Sequence, residues 1–572
     1  MKVFRNQKMT DMKLRFCTFQ VRMKKIVLTL GGSLLISLTA TAQLDNTVEV
    51  TNEVRPVATD AKKVEVKTQP VEVKAKHYSM QYATEEPTLK AYAAESLGDY
   101  ETEEVWKGRK KGYVHLAGGS HGNVDGLVAY QFDLTEQDAL TANLGLKGFY
   151  GKTKENSYFG LENWKSRDYR NWAALKYRHR MENGVEVFAK GNYENRLFNY
   201  MDTEGIATDK QHNVLAGARV GITPWQIGRL TFDAEAGIDF FNQERATMME
   251  KKLGETVLRL NGQANYQIAD KHSAGLGLGV YGSSYSGKEL KGVTNLRVTP
   301  HYLYSSDPLE VQLGLFVSTE GNVAPDVALT YHATEKSDAY VAARGYEVDN
   351  DFRRLTGINP YFGLFVPADM TKLKMVPSFH QIDVCVGYRF KEFHGFSGNV
   401  NFGFDKTKKE ANIYWTADIV NGLEYPLIEL TPDKNFYINA DFTYAYEDVV
   451  KVDARNTLNF KSSKEDGSWL EDSYTVPSYA MDWKVDFKVL KGLHVGLDML
   501  LECYTRPEME EDFAYKRPNT MNVGASVRYS LPIDLPLTVF VKGDNLLDKR
   551  QDRYLSYRSI GANFLAGFSM SF

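Results

Sequence analysis

The sequence predicts an all-β fold: a transmembrane antiparallel β-barrel of about 22 strands with a short periplasmic N-terminal extension. Three observations predict it: an export signal near the start, two-residue alternation over about 460 residues, and a closing segment that alternates to its last residue.

The export signal comes first along the chain. Lys24 and Lys25 precede an apolar run from Ile26 to Leu38, and Ala40-Thr41-Ala42 supplies small residues for cleavage before Gln43. Translation from Met23 would place the lysines at the start of this signal. The run falls short of the roughly 18 apolar residues that a membrane helix needs, and no stop-transfer flank follows it, so residues 1–42 are expected to be removed. Removal takes eight Lys/Arg and one Asp from totals of 69 basic and 73 acidic, and the mature chain carries a net charge near −11. Such a chain lacks the basic surface that a nucleic-acid partner requires. Cys17 leaves with the signal. Cys385 and Cys503 are expected as unpaired thiols on or near the wall, in a compartment that permits a disulfide without implying one.

Residues 43–111 differ from all that follows. They hold Val-Glu-Val repeats, runs of Lys and Glu, and the breakers Pro56, Pro70 and Pro87, with little that could form a core. They read as a periplasmic extension.

From Gly112 onward, segments of roughly 10 to 14 residues alternate, the length a tilted strand needs to cross a bilayer. Leu230, Phe232, Ala234, Ala236, Ile238 and Phe240 alternate with Thr231, Asp233, Glu235, Gly237 and Asp239. Leu140 to Lys147 and Phe436 to Tyr444 repeat the pattern. One face suits lipid and the other water. The 12% aromatic content, with 34 Tyr and 30 Phe and no long apolar run, fits short strands better than helices. A soluble sandwich also alternates, but the pattern persists well beyond the size of one such domain. Candidate strands begin near residues 112, 123, 138, 168, 185, 209, 229, 252, 272, 290, 308, 322, 338, 377, 394, 434, 450, 477, 492, 519, 536 and 559. Thr135-Glu136-Gln137-Asp138, Glu182-Asn183-Gly184 and Ser305-Ser306-Asp307-Pro308 are tight turns, expected at the periplasmic end. The longest connections, 152–167, 348–376, 407–433 and 462–476, are expected outside the cell, where ligand contacts concentrate.

The chain ends with Ile560, Ala562, Phe564, Ala566, Phe568, Met570 and Phe572 on one face, and the sequence places a closing strand over residues 560–572. An apolar edge of this kind would promote aggregation in a soluble protein, whereas closure into a barrel removes it. Phe564, Phe568, Met570 and the terminal Phe572 resemble the signal read by barrel-insertion machinery, which with outer-membrane lipids is an expected partner.

Thr538 to Arg550 contains Asn545-Leu546-Leu547-Asp548-Lys549-Arg550, which resembles the Asn-Leu-Phe-Asp-Lys-Arg segment before the last strand of TonB-dependent receptors, with Leu547 at the Phe position. Tyr78-Ser79-Met80-Gln81 and Lys111-Gly112-Tyr113-Val114 are similar to a group of receptor-like barrels from Bacteroidetes that lack a full plug. The resemblance implies an outer-membrane uptake barrel and names no cargo. It also exposes a departure, because family receptors carry a plug of well over a hundred residues where this chain has only 43–111. Either the lumen is open, or the extension, inward-folded loops or a second protein fills it. Asp45-Asn46-Thr47-Val48-Glu49-Val50-Thr51 is similar to a TonB box, an extended segment that would add as a strand to a partner sheet. The expected partner is therefore TonB, or a lipoprotein scaffolded by the barrel.

No catalytic constellation emerges. The eleven His are scattered and none has metal-ligand spacing, so neither an enzyme nor a cofactor is expected. Met248-Met249-Glu250 and Glu508-Met509-Glu510-Glu511 are read as solvated loop charge ahead of cation contacts. Inward positions carry both signs: Asp233, Glu235, Asp239 and Asp441 against Lys147, Lys190, Lys484, Lys488 and Lys542. They would tune a pore or pair across strands.

Overall fold

In the computed structural model the described residues are 111–152, 165–199, 210–243, 252–286, 290–364, 373–414, 427–462, 476–504, 519–533, 535–549, 551–554 and 557–572. The barrel strands open with β1 Gly112–Gly119, β2 Val124–Asp133, β3 Asp138–Lys152, β4 Lys165–Arg180, β5 Glu186–Phe198, β6 Gln211–Ile227 and β7 Leu230–Gln243. They continue through β8 Leu253–Ala269, β9 His272–Tyr285, β10 Thr294–Ser306, β11 Leu309–Ser318, β12 Val323–Thr334, β13 Ser337–Val348 and β14 Ser378–Phe393. The last are β15 Phe396–Tyr414, β16 Leu427–Tyr446, β17 Val450–Ser462, β18 Tyr479–Leu490, β19 Leu493–Cys503, β20 Thr520–Ser530, β21 Leu537–Asp544 and β22 Asn563–Ser571. Each strand pairs antiparallel with the next, and β22 returns to β1 through Tyr113↔Ser571 to Gly119↔Leu565. The result is a closed ring of 22 strands, which leaves no edge unpaired.

The alternation works as the sequence predicts. Leu144, Leu175, Val220, Phe240 and Phe402 are among the exposed apolar side chains of the outer face. In a soluble protein so much exposed apolar surface would be a liability, and in lipid it is the solvated face. The intervening residues turn inward and pair across strands: Lys190 with Glu235, Arg219 with Glu235 and Asp239, and Lys542 with Asp498. These ion pairs hold the wall, one of the two roles expected of the inward charges.

Turn chemistry explains the short connections. The Thr135 hydroxyl accepts from the N–H groups of Gln137 and Asp138, and Gly184 supplies the positive φ of 84° that its turn needs. Both the start of β1 and the end of β22 lie at this short-turn end. Cys385 and Cys503 are free, as expected, on β14 and at the end of β19.

Three strand boundaries differ from the sequence reading. The connection expected over 407–433 is shorter, because β15 runs to Tyr414 and β16 begins at Leu427, with an irregular register between Thr407 and Glu410. The irregularity breaks the alternation there and hides the strand continuation. Leu290–Lys291 is not the start of β10 but a separate parallel pairing with Leu373–Lys374. Ile560 and Ala562 precede β22, and Ile560 is buried.

Candidate functional site

The connection after β13 carries the least expected chemistry. Instead of standing clear of the barrel, most of residues 349–362 are buried against its inner wall. Glu347, Asp349 and Asp351 alternate as the extended chain leaves β13, and all three are buried. Asp351 then caps a short helix, α1 Phe352–Ile358, by accepting from the Arg354 N–H at 2.8 Å. Phe352, Leu355 and Ile358 recur every third residue and form its buried face.

That face completes an apolar cluster inside an otherwise polar bore. Phe352, Leu355, Ile358, Phe362 and Met375 pack with Leu215, Phe241 and Leu253 of β6, β7 and β8, and with Ala411, Ile413 and Ile428 of β15 and β16. Phe352 stacks on Phe241 with centroids 5.3 Å apart. Residues Gly363–Leu364 add a parallel pairing to Leu427–Ile428, so the segment is tied to β16 by backbone as well. Tyr361 reaches further, to Phe198 of β5 at 5.2 Å and Tyr557 at 3.6 Å, the latter in the connection before β22. Burial raises the Tyr361 phenol above its ordinary range, so it stays neutral. The segment thus joins wall strands on widely separated parts of the ring.

Ion pairs lock the segment down. Arg259 of β8 binds Asp239 and Asp351, and Arg297 of β10 binds Glu347 at 2.9 Å and Asp349. Arg354 of α1 binds Glu410 of β15 at 2.7 Å. The Phe352 N–H donates to Glu255 at 3.0 Å, and Ser318 and Asn322 both donate to Glu347 at 2.6 Å. Burial raises the Asp349 carboxyl above the usual carboxylate range, with Arg297 opposing the shift. Removing one member of such a buried set strands the others, at a cost of about 3–5 kcal/mol.

A second buried group lies beside Tyr361. Arg196 and Arg553 share Asp168 at 2.7 and 2.8 Å, and Arg196 donates to the Tyr554 hydroxyl at 2.7 Å. This set ties the connection before β22 to β4 and β5.

The residues singled out in the sequence lie elsewhere. Asn545, in a left-handed conformation with φ 48°, accepts from the Lys549 N–H at 3.1 Å and donates to the carbonyls of Lys549 and Ile560. Asp548 accepts from the Ala562 N–H at 2.9 Å, while Leu546 and Leu547 are exposed. Asn545 to Lys549 therefore form a turn that aims the chain into β22. Phe564, Phe568 and Phe572 lie on the outer face of β22, and Met570, partly buried, is on the same side by alternation. Asp45 to Thr51, Tyr78 to Gln81, Arg550, Met248 to Glu250 and Glu508 to Glu511 lie outside the described residues.

The sequence reading allowed for inward-folded loops but expected the connection 348–376 outside the cell, and it did not single out Arg259, Arg297 or Arg354. Two signals were present: alternating carboxylates at 347, 349 and 351, and the apolar spacing 352, 355, 358 immediately after. Both point to a structured connection rather than a solvated one.

No family model matches the sequence, and no curated protein matches it. Solved structures do match. The siderophore receptor PirA from Acinetobacter baumannii is similar with a TM-score of 0.60 at 12% identity, over 81% of this chain and 80% of that one. The FrpB iron transporter from Neisseria meningitidis gives 0.60 at 9% identity over 81% and 82%. The copper transporter OprC gives 0.56 at 11% identity over 81% and 80%. At these identities the likeness carries the fold alone: the chain has the 22-stranded, TonB-dependent receptor-like fold of outer-membrane transport barrels.

Proposed function

We propose that this protein is an exported outer-membrane barrel of a Gram-negative cell that moves a solute across the membrane, with residues 349–364 as the gate of its lumen. The observation that carries the reading is the apolar cluster joining α1 to β6–β8 and to β15–β16 within the closed ring. A wall by itself needs no such bridge, whereas a barrel of this size without a full plug needs something across its bore. In this reading the gate takes over part of a plug's work, and residues 43–111 form a periplasmic extension rather than a plug. Asp45 to Thr51 serve as the strand that TonB engages, Asn545 to Arg550 set the entry of the last strand, and Phe564, Phe568, Met570 and Phe572 are read by the insertion machinery. The neighbours are receptors and transporters, which supports uptake rather than catalysis.

A second reading draws on the same bridge. The buried ion pairs of Arg259 and Arg297 also suit a permanently blocked lumen, in a barrel that scaffolds a partner lipoprotein. Single-channel recording separates the two. The transport reading expects conductance that is small in the full chain and larger in Arg259→Ala, with uptake abolished by deleting 45–51 if TonB drives it. No conductance in either protein, together with a stable co-purifying partner, would leave the scaffold.

A further inference from the structure

The inner wall carries an uneven distribution of charge. Exposed apolar side chains at Leu144, Leu146, Leu175, Tyr177 and Tyr193 mark the outer face of β3–β5, and alternation turns the cations between them inward. These are Lys147, Arg170, Lys176, Arg178, Arg180 and Lys190, opposed on the same strands by Asp168, Glu186 and Glu194. Arg196, also inward, is held by Asp168. On β14–β16 the same argument, from outward Val386, Tyr388, Phe402 and Phe436, turns Asp383, Asp405 and Asp441 inward. Glu410 and Asp433 lie nearer the gate, held at 2.7 Å by Arg354 and by Lys461, while inward Arg389 and Lys391 stand at the other end of β14, where Lys391 meets Asp338.

These walls face each other. In a ring of 22, β4 and β15 stand eleven positions apart, half the circumference. Several of these charges reach the bore: Arg170 keeps 58% of its side chain exposed while meeting Glu194 at 2.8 Å, Lys190 keeps 41% while standing 3.8 Å from Glu235, and Asp441 is exposed too. On the acidic side, two of the three carboxylates take contacts from non-cationic or conditional groups: Asp383 accepts from the Tyr437 hydroxyl at 2.7 Å, and Asp405 meets Thr407 and His380, each at 2.9 Å. Asp441 is paired in register with Arg455 of β17.

We infer that a transverse field crosses the lumen from β3–β5 to β14–β16 and selects dipolar solutes, those carrying a cationic and an anionic group at opposite ends, such as a short zwitterionic peptide. The inference rests on the transport reading. A dipolar solute aligned across the bore meets an acid with its ammonium and a base with its carboxylate, while a net charge of either sign is repelled by one wall. A neutral sugar gains nothing from the field.

The test is entry of triglycine against glucose, two solutes of similar size, into proteoliposomes. It uses the full chain and the full chain with Arg259→Ala to release the gate. Triglycine is expected to enter at least about threefold faster than glucose. Reversal of one wall, by Lys147→Glu, Arg170→Glu and Lys190→Glu together, should bring that ratio to about one and make the conductance cation-selective. Neutralisation of the other, by Asp383→Asn, Asp405→Asn and Asp441→Asn, should also lower the ratio and shift selectivity toward anions. The second set introduces no new charge, so it remains informative if the first does not fold. A ratio unchanged in a conducting variant overturns the field and leaves transport standing. Entry of neither solute in any protein overturns both.

Discussion

Single residues in this barrel act mainly by closing hydrogen-bond accounts that the strands leave open. Asn545 is the clearest case. Its side chain satisfies one N–H and two carbonyls of the turn, and its own N–H donates to Asn522. An Asn tolerates positive φ far better than a branched residue does. Asn545→Ala should therefore lower barrel stability by about 1–3 kcal/mol, read from urea unfolding of the refolded protein. Arg259 acts differently, because three carboxylates depend on it. Arg259→Ala should weaken gate docking by about 3–5 kcal/mol, seen as faster hydrogen exchange over α1, while Arg259→Lys should restore only part of it, since an ammonium cannot match a guanidinium's fork.

At the scale of elements, wall and gate obey different rules. A wall strand needs only period two, and that pattern is readable wherever the register is regular, as in β7 and β8. The gate is built from a seven-residue helix too short to be stable alone, so its existence depends on the surfaces it meets. Nothing local marks Leu215, Phe241 and Leu253 as its partners, since they come from three strands far away in the chain. Leu355→Ala should cost about 2–5 kcal/mol of gate docking. Protease cleavage confined to residues 349–364, with the heat-modifiable barrel band unchanged on a gel, would confirm that the gate opens independently of the wall; loss of both together would show that it does not.

At the scale of the molecule, closure is the decisive event, and it rests on short strands. β1 and β22 meet with little room: a Cβ on Gly119 would lie 1.8 Å from the Phe564 carbonyl oxygen, and the Phe572 ring covers Gly112. Gly119→Val should prevent tight closure and cut the yield of heat-modifiable barrel in folding assays. Deleting Phe572 removes two backbone hydrogen bonds to Gly112 as well as the ring, and should slow insertion into vesicles. A mutant that closes normally in both assays would contradict this account of the seam.

The sequence alone determined the architecture and nearly every strand, because the wall of a closed barrel imposes alternation residue by residue and that constraint is local. It placed the start of β1 and the region of β22, and it singled out Asn545 to Arg550 by resemblance without reading the turn that they form. Only the tertiary structure decided what crosses the bore. The gate's partners are brought together by ring closure, and Glu347, Asp349 and Asp351 become an ion-pair set only when Arg259 and Arg297 stand opposite them. The same holds for the two charged walls: each cation and carboxylate is visible in the chain, but that β4 faces β15 is a property of the closed ring.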